Sequence, residues 1–404
     1  MKKISAVLLV LVLVGSVAFA GFTGSADVTF DVDLDIGDFG FANGKAFDVD
    51  LVFHEELGTA KGEGDIYAEI KASFSFGYVA DDTTFLDERD IDVVAKITEA
   101  KIYGDKWSVS ILESLAAPDF AASAFEKNST TGVYQNLKTS THVVKGAGVV
   151  VEYDGYKVGI SVPYTLNNFK TPTYDFMGAI QTKELEVADG LKLTLGAAAK
   201  LAKVAGNAAS VSAKGAFATD DYSAKVAADV IYDGGVLADA AVQFALTDPS
   251  VTVDAYYATE GDAPVYTAAT KHLVSVQAKT VIEGVTLTVF GKDIINQTIL
   301  GGSASYKASD EITVGVNGGY TLKGASAGDF YAGGDVTYTA EDFKLKVDGK
   351  YADTASVASL KVNATLTSTT LVDGATLSLA YNSGNYLASP LGLGKITAKA
   401  LIEF

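Results

Sequence analysis

Between Asp65 and Tyr78 the chain changes character at every residue. Ile66, Ala68, Ile70, Ala72, Phe74, Phe76 and Tyr78 fall in one set, and Tyr67, Glu69, Lys71, Ser73 and Ser75 in the other. A strand sends successive side chains to opposite faces, whereas a helix would put neither set on one side. The pattern returns at Asp27 to Ile36, at Val285 to Val289 and at Asp342 to Ala352, where Phe343, Leu345, Val347, Gly349 and Tyr351 alternate with Lys344, Lys346, Asp348 and Lys350. Such runs are about 10 to 13 residues long, against about 5 to 6 for strands of soluble proteins. A tilted strand crossing a bilayer needs about 9 to 11 residues. In lipid, an open sheet edge leaves backbone N–H and C=O groups unpaired at several kcal/mol each, so such a sheet must close. The expectation is an all-β fold, a single large antiparallel transmembrane β-barrel.

The turns set its size. Short Asp, Glu and Gly turns stand at Gly104-Asp105, Asp154-Gly155, Asp189-Gly190, Asp220-Asp221, Asp248-Pro249, Glu283-Gly284, Asp310-Glu311, Glu341-Asp342 and Asp373-Gly374. These residue types supply tight hairpin geometry. After the first, they lie about 26 to 35 residues apart, room for two strands and one opposite loop. One more turn near Gly58–Gly64 makes ten, which implies about 22 strands if both ends lie on one side, within a range of about 16 to 22. Longer loops are expected at Asp81–Asp90, Leu115–Thr141, Leu166–Thr173, Glu260–Ala269 and Ser383–Pro390. Aromatics near strand ends, Tyr103, Trp107, Tyr153, Tyr156, Tyr222, Phe343 and Tyr381, fit girdles at the two interfaces of a membrane.

The first twenty residues read differently. Lys2 and Lys3 precede an apolar run from Ile4 to Val14, and Ala18-Phe19-Ala20 places small residues at a cleavage site. This is the layout of a cleaved secretory signal peptide, residues 1–20, leaving 21–404 as the barrel. No later stretch is apolar enough for a membrane helix. The formal charge of −19 is opposite to the basic footprint of a nucleic-acid binder. The absence of cysteine excludes disulfides, thiolate metal sites and thiol nucleophiles.

Little else points to chemistry. His54-Glu55-Glu56-Leu57-Gly58 opens like a zinc-helix motif, but the second histidine is missing and the segment reads as strand. Asp31, Asp33 and Asp35 have the spacing of a calcium loop, yet Ile36 stands where glycine is required. No histidine among His54, His142 and His272 can be paired with a nucleophile. No catalytic, cofactor or metal site is expected, and the chain is not read as an enzyme.

The last strand carries a resemblance. Ile396, Ala398, Ala400, Ile402 and the terminal Phe404 share one face. A terminal Phe on an alternating strand is similar to the insertion signal of Gram-negative outer-membrane β-barrel proteins, and the general architecture resembles porins. The resemblance implies residence in the outer membrane, contact with its lipid, insertion by the barrel-assembly machinery and possible homo-oligomers. In porins the third outer loop folds inward; Leu115–Thr141, the corresponding loop here, either does the same, with Pro118, Asp119, Phe120, Phe125, Glu126 and Lys127 as constriction candidates, or packs outside on the barrel rim or on a neighbouring molecule. The pore-lining candidates from alternation are Asp27, Asp31, Asp33, Asp35, Glu69, Lys344, Lys346, Asp348 and Lys350. The function expected is that of a porin giving passive diffusion of small hydrophilic solutes and ions, with an acidic, mildly cation-favouring lumen. The alternatives are a non-conducting surface-structural or adhesin barrel and a soluble secreted β-protein.

Overall fold

The structure is a computed structural model. It describes residues 22–41, 45–57, 66–79, 90–111, 115–121, 148–162, 164–167, 171–174, 176–201, 206–259, 272–296, 298–324, 326–354 and 357–403. The expected signal segment, the turn near 58–64, the loops at 81–89 and 260–269, His142 and Phe404 lie outside these residues.

The chain opens with β1 (Phe22–Asp33), which turns at Leu34 to Gly37 into β2 (Asp38–Phe41). β3 (Lys45–Leu57) then continues along the same edge. β2 pairs with the upper half of β1 and β3 with its lower half, so the two make one wall strand. β4 (Tyr67–Val79), β5 (Asp90–Tyr103), β6 (Trp107–Ile111) and β7 (Gly148–Tyr153) follow, each hydrogen-bonded to its predecessor.

β8 (Tyr156–Ser161) and β11 (Phe176–Gln181) form a hairpin, and β9 (Tyr164–Asn167) and β10 (Thr171–Tyr174) extend it in the same register. The loop expected at Leu166–Thr173 is therefore shorter, because strand pairing continues to Asn167 and Thr171. β12 (Leu185–Ala188) carries the β11 wall onward against β13 (Leu191–Leu201).

From there the sheet is a plain meander. β14 (Ala208–Ala218), β15 (Tyr222–Asp233), β16 (Val236–Leu246), β17 (Val251–Ala258), β18 (Leu273–Ile282) and β19 (Val285–Lys292) are followed by β20 (Ile299–Lys307), β21 (Ile312–Thr321) and β22 (Phe330–Thr339). β23 (Lys344–Thr354), β24 (Val357–Ser368), β25 (Ala375–Asn382) and β26 (Lys395–Glu403) complete it. β26 pairs back onto β1 from Ser25↔Glu403 to Asp33↔Lys395, and the sheet is closed. The 26 segments merge into 22 wall strands, the number the turn rhythm implies.

Among the described side chains, alternate strand residues face out, as the pattern of the sequence requires. Val211, Val226, Val242, Val289, Val316 and Leu379 are among the large exposed apolar side chains of that outer face. Trp107 stands opposite Tyr153, and Tyr153 opposite Tyr156, beside two adjacent turns. Tyr222 packs between Phe217 and Phe244 at ring distances of 5.8 and 6.0 Å, and Phe343 on Tyr338 at 5.8 Å. Tyr103 departs from this outer set. It is paired with buried Ser108 and carries Lys101 over its ring at 4.6 Å, so it faces inward.

The seam has its own clasp. The Asp35 carboxylate accepts the backbone N–H groups of Leu393 and Gly394, and the Leu34 N–H donates to the Gly394 carbonyl at 2.8 Å. Asp35→Ala is expected to speed hydrogen exchange at Leu393 and Gly394. Because the pair is exposed, global stability should stay within about 0.5 kcal/mol. Unchanged exchange would show the clasp to be idle.

Candidate lumen site

The buried core of this barrel lies on its inner wall, where a segment of chain is seated. Beyond β6 in sequence, Leu115 to Ala121 cross the inner faces of β8, β11, β13, β14 and β15. The glycines beneath it show how closely it sits. A Cβ on Gly159 would lie 2.4 Å from the Leu115 Cβ, and one on Gly196 would lie 2.4 Å from the Pro118 Cβ. Only a residue without a side chain leaves room for that approach. Ala117 is buried with Met177, Ala179, Ala198 and Ala208, with Leu115 packed against them.

Polar contacts fix the far end. Ser212 donates its hydroxyl to the Pro118 carbonyl at 2.8 Å. The Phe120 N–H donates to the Asp229 carboxylate at 3.0 and 3.2 Å, and the Ala121 N–H at 2.6 Å. Asp229 is fully buried under this contact, opposite buried Asp239 in the next strand. Asp239 accepts the Tyr256 hydroxyl at 2.9 Å. Tyr256, Ala258 and Leu273 form a second buried cluster beside it, with Ala241, Phe290 and Ile299 against it.

Below the segment, towards the short turns, the wall opens into a recess of about 390 Å³. The strand register orders its lining into two rows. One row runs Lys192, Ala216, Lys225, Gln243, Asp254. The next runs Thr194, Lys214, Ala227, Ala241. Phe120 forms the roof, with the Lys214 ammonium 5.0 Å from its ring centre. Lys192 pairs with Glu184 at 2.7 Å. Asp254 accepts the side-chain amides of Gln243 and Gln277, each at 2.9 Å.

The pore-lining candidates are distributed less simply than alternation suggests. Asp31 accepts the Thr397 hydroxyl at 2.6 Å and pairs with Lys395 across the seam. Asp33 is the last rung of β1, opposite Lys395, and Asp35 lies beyond the strand. The Asp33 carboxylate accepts the N–H groups of Asp35 and Ile36, and Asp35 belongs to the turn and clasp described above. The strand ends at Asp33, and side chains beyond it no longer alternate. Asp27 lies opposite Leu401 and Glu69 opposite Lys101 in register.

Asp348 accepts the Asn363 amide at 2.9 Å. Lys350 lies over the Tyr331 ring at 4.6 Å, and Lys344 and Lys346 stand opposite Thr367 and Thr365. Pro118 and Phe120 touch the inner wall and Asp119 between them stays exposed, whereas Phe125, Glu126 and Lys127 lie outside the described residues. His272 hydrogen-bonds and stacks with Tyr257. Among the described residues no acid and histidine cluster could hold a metal ion.

Sequence reading missed Asp229, Asp239, Lys192, Lys214 and Lys225. The available signal was Lys225, Ala227 and Asp229 alternating with apolar residues in β15.

No protein-family model matches the chain, and no curated protein does. Among solved structures, a mutant of the ferric enterobactin receptor PfeA of Pseudomonas aeruginosa is 10% identical at a TM-score of 0.47, over 96% of this chain and 81% of that one. The P pilus usher PapC translocation pore is 8% identical at 0.36, over 95% and 98%. A mutant porin of Rh. blastica is 12% identical at 0.34, over 95% and 99%. The strand ladder of the chain itself makes a closed antiparallel barrel with an even strand number and an apolar outer face, the architecture of porin-like outer-membrane barrels.

Proposed function

We propose that the chain is an outer-membrane channel through which small hydrophilic solutes and ions diffuse passively. One observation carries the reading: the segment Leu115 to Ala121 is bound to the inner wall of a closed sheet of 22 strands. A sheet of that size encloses a wide lumen, and a wall-bound segment narrows it. The exposed valine and leucine side chains of the outer face suit lipid and would be costly to solubility in a secreted soluble protein. The last strand would serve as the insertion signal for the assembly machinery.

Charge argues for weak selectivity. Each described turn at the end where β1 begins and β26 ends carries an Asp or Glu, such as Asp105, Asp154, Asp220 and Asp310. Rings of acids favour cations. The strand interiors instead present Lys192, Lys225, Lys346 and Lys350, which oppose that preference.

The protein refolded into a planar bilayer under a salt gradient is expected to give stable steps of about a nanosiemens, as a wide water-filled barrel implies. The reversal potential should favour cations slightly. A folded, inserted protein that passes no current would refute the channel and favour a surface-structural barrel.

A further inference from the structure

We propose that the recess under Phe120 is a binding site for a small organic carboxylate with an apolar body. Its shape comes from the alternation of side-chain sizes. Ala216, Ala227 and Ala241 make a floor at the level of the wall, and Lys192, Lys214, Lys225 and Gln243 rise around it. Phe120 covers it from the inner segment, held there through its own backbone N–H on Asp229. The apolar contacts are thus a ring face above and methyl groups below, and the polar contacts are at the edge.

The charges decide the sign of the ligand. Lys192 is matched by Glu184, and Asp254 is occupied by two amides. Among the described residues neither Lys214 nor Lys225 pairs with a carboxylate, and both border the floor. An ammonium in a half-enclosed recess gains more from an anion than one in open water, because the surrounding dielectric is lower. A flat carboxylate could lay its ring between Phe120 and the alanines while its oxygens meet Lys214 and Lys225. An inorganic anion would use only the lysines.

Access to the site rests on the open-lumen reading above, so binding and current are measured separately. Radiolabelled benzoate is equilibrated by dialysis against the full protein folded in detergent, with acetate and inorganic phosphate as competitors. Saturable binding of one benzoate per chain is expected. The double variant Lys214→Gln/Lys225→Gln should weaken it about tenfold or more, the loss of charge-assisted contacts. Phe120→Ala should weaken benzoate more than phosphate. Lys307→Gln, at the distant end of β20, should change nothing.

Absence of saturable binding overturns the site, as does binding that ignores the lysine pair. Acetate or phosphate competing as well as benzoate itself overturns the apolar component. A protein that binds benzoate but conducts no ions keeps the site and loses the channel. One that conducts but does not bind loses the site alone.

Discussion

Replacing Asp229 with alanine is expected to free the inner segment, raising the mean single-channel conductance and adding flicker between levels. The carboxylate takes the N–H groups of two successive residues, Phe120 and Ala121, in a fully buried position. Hydrogen bonds to a charged group are worth about 1.5–3 kcal/mol each. At the lower end the two together are worth about 3 kcal/mol, which shifts the docked population more than a hundredfold at about 1.4 kcal/mol per decade. Asp229→Asn, which retains one carbonyl acceptor, should fall between.

A readout independent of current is hydrogen exchange at the two amides, protected in the parent and fast in Asp229→Ala. Gly196→Val should act in the same direction by a different route, because its side chain would occupy the place of the Pro118 ring. If exchange at Phe120 and Ala121 is unchanged in Asp229→Ala, the segment is held by something other than this carboxylate.

The barrel was legible in the sequence because its two signals repeat. Alternation occurs in strand after strand, and the acidic turns at one end are spaced by the length of a hairpin, so the strand count follows from the turns. The tight turns at the other end were less visible. Leu34 to Gly37 looked like the continuation of a strand, since Asp33, Asp35 and Ile36 preserve the alternation by coincidence while two of the carboxylates bind backbone amides. The direction of the segment after β6 could not be read from its length. It is set by contacts across more than ninety residues, from Pro118 to Ser212 and from Phe120 to Asp229. The recess was hidden for the same reason: Lys192, Lys214 and Lys225 are neighbours only once three strands are in register.

The two faces of β15 should respond oppositely to the same substitution. Val226 is half exposed on the outer face near the middle of its strand, between Gly215 and Val242. Ala227, one residue on, faces the lumen. Arginine on the lipid face at mid-bilayer costs a transmembrane barrel about 2–4 kcal/mol, because the guanidinium must be dehydrated or drag water and headgroups inward. Arginine in a wet lumen escapes that cost and is limited by fit.

Val226→Arg should therefore lower the unfolding free energy measured by denaturant titration in lipid vesicles by about 2–4 kcal/mol while leaving the recess intact. Ala227→Arg should leave stability nearly unchanged but fill the floor between Lys214 and Lys225 and abolish benzoate binding. In a soluble β-protein the stability contrast disappears: an exposed Val226→Arg lies within about 0.5 kcal/mol, the ordinary surface range. The size of the Val226→Arg effect thus identifies the solvent outside the barrel. The contrast with Ala227→Arg fixes which face is which, whether or not the channel is open.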